Sequence, residues 1–134
     1  MRRPSESPSR RVPPPSVPKS IVSAAYGGKV GPVRLWINGE GRVNATFEDD
    51  EVSDITLLMY CAGLGHVCVV NMLLKRGAEV GLQDSGGCTA LIWAAQHGHT
   101  RVVDTLMRHG AEVDQQDSNR CTALMHAAQF GHSR

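Results

Sequence analysis

Large aromatic side chains are scarce: two Phe, two Trp and two Tyr make up 4% of the 134 residues. A folded interior must therefore come from Leu, Val, Ile, Met and Ala, within a hydrophobic share of 41%. Charge of one sign is also lacking. The formal net charge is +1, which removes the strong whole-molecule field that draws proteins to nucleic acid or anionic membrane. No run approaches the ~18 apolar residues of a membrane-crossing helix, and the N-terminus has no apolar secretory stretch. Membrane insertion is not expected. The four cysteines, Cys61, Cys68, Cys88 and Cys121, show no CxxC spacing, so they point to a reduced cytosolic or nuclear setting. Glycine-rich phosphate loops, GxSxG elbows and HExxH helices are absent as well. Nothing indicates an enzyme, a cofactor or a small-molecule substrate.

The charge that is present is unevenly spread. Residues 1–19 carry Arg2, Arg3, Arg10, Arg11 and Lys19 against Glu6, while the remainder is net acidic. The tail is also rich in Pro and Ser, with Val12 and Val17 as its only branched aliphatics. It cannot bury enough apolar surface to offset its ordering entropy, so residues 1–19 are expected to be disordered. Arg2-Arg3-Pro4-Ser5 resembles a basophilic kinase site and Ser7-Pro8 a proline-directed one. Phosphates on Ser5 and Ser7 would cancel much of the tail's positive charge.

From residue 20 onward the informative feature is repetition. Residues 84–101 (DSGGCTALIWAAQHGHTR) and 117–134 (DSNRCTALMHAAQFGHSR) are identical at twelve of eighteen positions, 33 residues apart. One period earlier, residues 51–68 preserve Thr56, Leu58, Ala62, Gly65 and His66. A degenerate first copy keeps Ala24, Ala25, Gly28 and Val33, at an offset that requires four extra residues before the second copy. The loop at 44–54 is the place predicted for them. The units run approximately 20–48, 51–83, 84–116 and 117–134, the last incomplete.

Each unit has one physical grammar. Thr89 can cap a helix whose apolar residues run from Leu91 to Ala95, and Gly98 can end it with a positive φ. A second helix is predicted around 100–109, where Val102, Val103, Leu106 and Met107 share a face. Gly110 closes that helix, and the Asp- and Asn-containing stretch 111–119 reads as an extended turn.

The pattern TALIWAAQHGH (89–99), then Val102-Val103, then GAEV (110–113), repeated as TALMHAAQFGH (122–132), resembles the ankyrin repeat family. The resemblance covers roughly residues 20–134. It implies an all-α solenoid of stacked helix pairs with protruding hairpins, serving to bind a partner protein. There are departures. The family's Pro is replaced by Ser20, Leu57, Ala90 or Ala123, and its His by Val22, Met59, Ile92 or Met125. Gly87, the usual hairpin glycine, becomes Asp54 one unit earlier and Arg120 one unit later. The fourth copy stops at Arg134 after its first helix, so a truncated isoform, an incomplete gene model or a fragment of a longer protein is expected.

In this family, partner contacts concentrate on hairpin tips and the exposed ends of first helices, which together form a concave face. Carried over by position, that face holds Ser85, Gly86, Cys88, Gln96, His97, His109 and Gln116. The fourth unit adds Ser118, Asn119, Arg120, Cys121, Gln129 and Phe130, and the second adds Leu64. Leu64 and Phe130 would suit apolar anchors. The acidic run Glu48, Asp49, Asp50 and Glu51 could steer a basic partner. One alternative is a regulatory segment of a larger signalling protein or enzyme. Another is a metal- or nucleic-acid-binding module. The nucleic-acid reading rests on the tail's arginines alone. His66, His99 and His132 share one repeat position, which the repeat itself explains, and no Cys/His spacing matches a zinc site. Cys88 and Cys121 lie one unit apart. With helices packed ~8–10 Å apart, they cannot form a disulfide without backbone movement. No metal ligand is assigned.

Overall fold

A computed structural model describes residues 16–39, 42–49 and 51–129. Its helices are α1 (Lys19–Tyr26), α2 (Val30–Gly39), α3 (Leu57–Leu64), α4 (Val67–Lys75), α5 (Ala90–Gln96), α6 (Thr100–Arg108) and α7 (Ala123–Gln129). The strands β1 (Thr46–Phe47) and β2 (Ile55–Thr56) form an antiparallel hairpin in the enlarged loop, with Phe47 opposite Ile55. Sequence placed the start of the folded part at residue 20. Val17, however, is buried, its N–H donates to Thr46 O at 3.1 Å, and α1 begins at Lys19.

Threonines start three of the four first helices, whereas α1 follows Pro18 without a side-chain cap. Thr56 and Thr89 hydroxyls each accept a backbone N–H, from Met59 and Ile92, at 3.2 Å, and Thr122 does the same from Met125 at 3.4 Å. These bonds satisfy donors that the helix leaves open. Glycines follow the ends of α1, α3 and α5. Gly28, Gly65 and Gly98 all have φ between 73° and 82°. The residue after each glycine donates its N–H back to the helix, as from His66 to Cys61 O at 3.0 Å, the Schellman arrangement.

The helices stack in two rows. First helices pack on first helices (α1 on α3, α3 on α5, α5 on α7), and second helices on second helices (α2 on α4, α4 on α6). The core follows the rows. Leu57, Leu58, Met59, Cys61 and Ala62 of α3 are buried, as are Val69, Val70 and Leu73 of α4 and Leu91, Ile92 and Ala94 of α5. Repeat-position histidines tie successive units together. The His66 Nε2–H donates to Tyr26 O at 2.8 Å and that of His99 to Gly63 O at 3.0 Å. The ring of His99 fills the space beside Gly65, where an added Cβ would lie 2.7 Å from its Nδ1.

Hairpins are also linked rung by rung. Ser85 exchanges hydrogen bonds with Ser53 at 2.9 and 3.0 Å, and Ser118 N–H donates to Gly86 O at 3.0 Å. At the fourth unit the pattern loosens. Leu124 and Met125 are 74% and 51% exposed, and Leu124 lines a groove of about 670 Å³ together with Leu91, Val103, Met107 and Ala127.

Candidate functional site

Where α1, α3 and the β1–β2 hairpin meet, they enclose a groove of about 820 Å³. Val22, Ser23 and Tyr26 line it from α1, Tyr60 from α3, and Phe47, Glu48, Asp49, Ser53 and Asp54 from the hairpin. The aromatic wall is ordered by packing. Phe47 and Tyr60 meet edge to face with centroids 5.1 Å apart, a favoured aromatic geometry. Tyr26 stands beside them, 64% exposed. Burial, with smaller contributions from Tyr26, Cys61 and Asp49, pushes the Tyr60 phenol above its usual range. It therefore keeps its proton and can donate it in a hydrogen bond.

The acidic wall is held by its own turn. Asp49 N–H donates to Val52 O at 3.0 Å, and Val52 N–H donates to the Asp49 carboxylate at 3.3 Å. Glu48 and Asp49 are thereby presented, exposed, on the lip of the groove. Asp54 completes the set, and Lys19 is the one cation in the lining. Of the acidic run, Glu51 is exposed beyond the groove, and Asp50 lies outside the described residues.

The remaining candidates divide by element. Ser85, Gly86, Gln116, Ser118, Asn119 and Arg120 are exposed at hairpin tips, while Cys88 and Cys121 are half-buried. Their backbones are already committed: the Gln116 carbonyl accepts from Gln83 Nε2 at 3.0 Å, and Asn119 N–H donates to Asp117 at 2.8 Å. On the first helices, Gln96 is half-buried, and Gln129 is exposed. His97 is exposed as well, with Nδ1–H donating to Trp93 O at 3.0 Å. Leu64 is half-buried rather than exposed. His109 caps the far end of α6, in the second-helix row, with Nδ1–H donating to Thr105 O at 2.9 Å. Phe130, Ser5 and Ser7 lie outside the described residues.

Sequence reasoning missed one cluster. Ligand-type atoms of Cys88, Asp117 and His126 all lie within 4.8 Å of one another. The three come from two units, so no local spacing announces them. His126 Nε2 and Asp117 Oδ2 are 2.7 Å apart, and both side chains are nearly covered. Burial pushes the Asp117 carboxyl up. Hydrogen bonds from Cys121 N–H, His126 and Asn119 N–H, with the attraction of His126, more than offset it and hold the group below its ordinary value. Burial, then the carboxylates of Asp84 and Asp117, and lastly Cys121, push the Cys88 thiol up to about 12. The repeat offered a signal: Trp93 and Ile55 occupy the positions that His126 and Cys88 hold one unit later.

No helix among the described residues is long and apolar enough to cross a membrane. A family model described as ankyrin repeats (3 copies) matches residues 21–117 and 58–134. No curated protein matches the chain.

Proposed function

We propose that this chain, which belongs to the ankyrin repeat family, is a non-catalytic module that binds a basic segment of a partner protein. Ankyrin repeats generally serve as protein–protein interaction modules, and the proposal concerns which surface does so here. The observation that carries it is the groove of the first two units. Tyr26, Phe47 and Tyr60 form one wall, and Glu48, Asp49 and Asp54 stand along its lip. Aromatic faces attract guanidinium and ammonium groups, and carboxylates beside them add a charge-assisted contact. An Arg or Lys side chain entering there would meet both at once.

The groove lies among α1, α3 and the β1–β2 hairpin, and we extend the binding surface to Gln96, His97, Ser118 and Gln129 on the first helices and hairpin tips of the following units. A partner anchored in the groove would extend along those polar positions, with the rigid two-row stack holding them in register. Four unpaired cysteines suit a reduced intracellular compartment.

Capture from cell lysate tests the reading with three proteins of equal helicity. These are the intact chain, a groove variant (Glu48→Gln, Asp49→Asn, Asp54→Asn) and a first-helix variant (Gln96→Ala, His97→Ala, Gln129→Ala). Proteins bound by the intact chain should be lost with the groove variant and weakened with the first-helix variant. Retention by the groove variant sinks the proposal.

A further inference from the structure

Two consecutive junctions of the solenoid hold an aspartate in the same way and differ in the two side chains placed beside its carboxylate. At the junction of the second and third units, Asp84 Oδ1 accepts from Gly86 and Cys88 N–H, both at 2.9 Å. Its Oδ2 accepts from the Trp93 indole at 2.9 Å, with Ile55 fully buried at the equivalent of Cys88. One unit later, Asp117 Oδ1 accepts from Asn119 and Cys121 N–H at 2.8 and 2.9 Å. Its Oδ2 meets His126 at 2.7 Å. The backbone of each tip fixes the carboxylate in the same way. Ile55 and Trp93 cannot ligate a metal, whereas Cys88 and His126 both can.

We infer that Cys88, Asp117 and His126 form a site for a zinc-type divalent cation between the third and fourth units. Thiolate, imidazole and carboxylate together are the donor set zinc accepts, at roughly 2.3, 2.0 and 2.1 Å. A tetrahedral ion separates its ligand atoms by about 3.5 Å, by simple geometry from those bond lengths. In a cluster within 4.8 Å, the ligand atoms would have to draw together by only about 1 Å to meet that spacing. The 2.7 Å contact between His126 and Asp117 would open as the ion enters. Among the described residues this is the one group of three ligand-type side chains so closely placed.

The chemistry balances simply. The Cys88 S–H bond breaks, a sulfur–metal bond forms, and the proton leaves to solvent, since a thiolate is the ligand. A neutral imidazole keeps its single N–H on the nitrogen facing away from the ion. Three protein ligands leave a fourth position for water or for a group from a partner. Because the ligands span two units, the ion would staple α7 and its hairpin to the third unit.

Cobalt(II), added to the full metal-free chain under reducing conditions, tests this, with zinc as competitor. One equivalent should produce a saturable thiolate-to-cobalt charge-transfer band and tetrahedral ligand-field bands, both lost when zinc is added. Two variants rebuild the preceding junction, Cys88→Ile and His126→Trp. Each should lose the bands while circular dichroism keeps its helical signal. Cys88→Ser, a smaller change, should lose the charge-transfer band in the same way. Cys121→Ser should keep it at full strength. Zinc should raise the thermal midpoint of the intact chain and leave that of His126→Trp unmoved. The proposal is overturned by the absence of one-equivalent binding, by bands that persist in Cys88→Ser, or by bands that vanish in Cys121→Ser.

Discussion

The second and fourth units are written in the same repeat grammar and packed in opposite ways. In α3, six of eight residues are buried (Leu57, Leu58, Met59, Cys61, Ala62 and Gly63), because α1 covers one side and α5 the other. In α7 only Ala123 and Ala127 are buried, because among the described residues α5 is the one helix stacked against it. Leu58 and Leu124 occupy the same repeat position, yet Leu58 is 1% and Leu124 74% exposed. A repeat sequence therefore specifies a shape, and neighbours specify the stability of that shape. Burial in a solenoid belongs to the interface between units and not to the unit.

The comparison breaks first if paired truncations behave alike. Leu58→Ala should cost about 2–5 kcal/mol, as a buried leucine leaving a cavity does. Leu124→Ala should stay within about 0.5 kcal/mol, as exposed substitutions do. Urea unfolding followed by helical circular dichroism reads both.

Hairpin tips give the next largest contrast. Gly87, Asp54 and Arg120 share one position and all have positive φ, at 82°, 61° and 65°. A left-handed conformation costs an ordinary residue roughly 1–2 kcal/mol. At Gly87 an added Cβ would also lie 2.6 Å from Ser118 N. Gly87→Ala should therefore destabilise by about 2 kcal/mol or more, the strain and the clash acting together. Arg120→Gly should stabilise by up to about 1 kcal/mol by relieving the same strain.

A smaller effect concerns acid. The Asp117 carboxyl lies below its ordinary value in the folded chain, so its contribution is complete above the unfolded value near ~3.9. It is lost as pH falls through the folded value. Thermal midpoints measured between pH 7 and pH 3 should fall less steeply for Asp117→Asn than for the intact chain. The smallest contrast is kinetic. Burial pushes the thiols of Cys61 and Cys88 up to about 12, whereas Cys68 is exposed. Iodoacetamide at pH 8, followed by peptide mass mapping, should label Cys68 well before either of the other two.

Most of the fold was legible because the period is strict and its punctuation is chemical. Thr56, Thr89 and Thr122 cap where the sequence places helix starts, and Gly28 confirms the degenerate first unit by its positive φ. The missing family histidine is replaced in the second unit by Met59, whose sulfur accepts the Thr56 N–H at 3.4 Å. Sequence placed the four extra residues in the 44–54 loop. It could not show that they form a hairpin whose Phe47 packs on Tyr60, since no periodicity encodes a two-residue strand. The candidate groove was half legible. Its acidic lip was visible as a charge run, but no motif or period singled out Tyr26 and Tyr60, which only the fold sets together. The Cys88–Asp117–His126 cluster was invisible to local motifs for the same reason: its ligands converge across a stacking interface.

Binding of a fluorescein-labelled, arginine-rich peptide, followed by anisotropy in 50 and 150 mM salt, tests the central claim most directly. The intact chain should bind saturably, more weakly at the higher salt. Glu48→Gln/Asp49→Asn/Asp54→Asn and Tyr26→Ala should each weaken it by about tenfold or more, the loss of roughly 1.4 kcal/mol. Equal affinity in all three proteins, with helicity unchanged, would contradict the account and leave the aromatic–acidic groove without a role in binding.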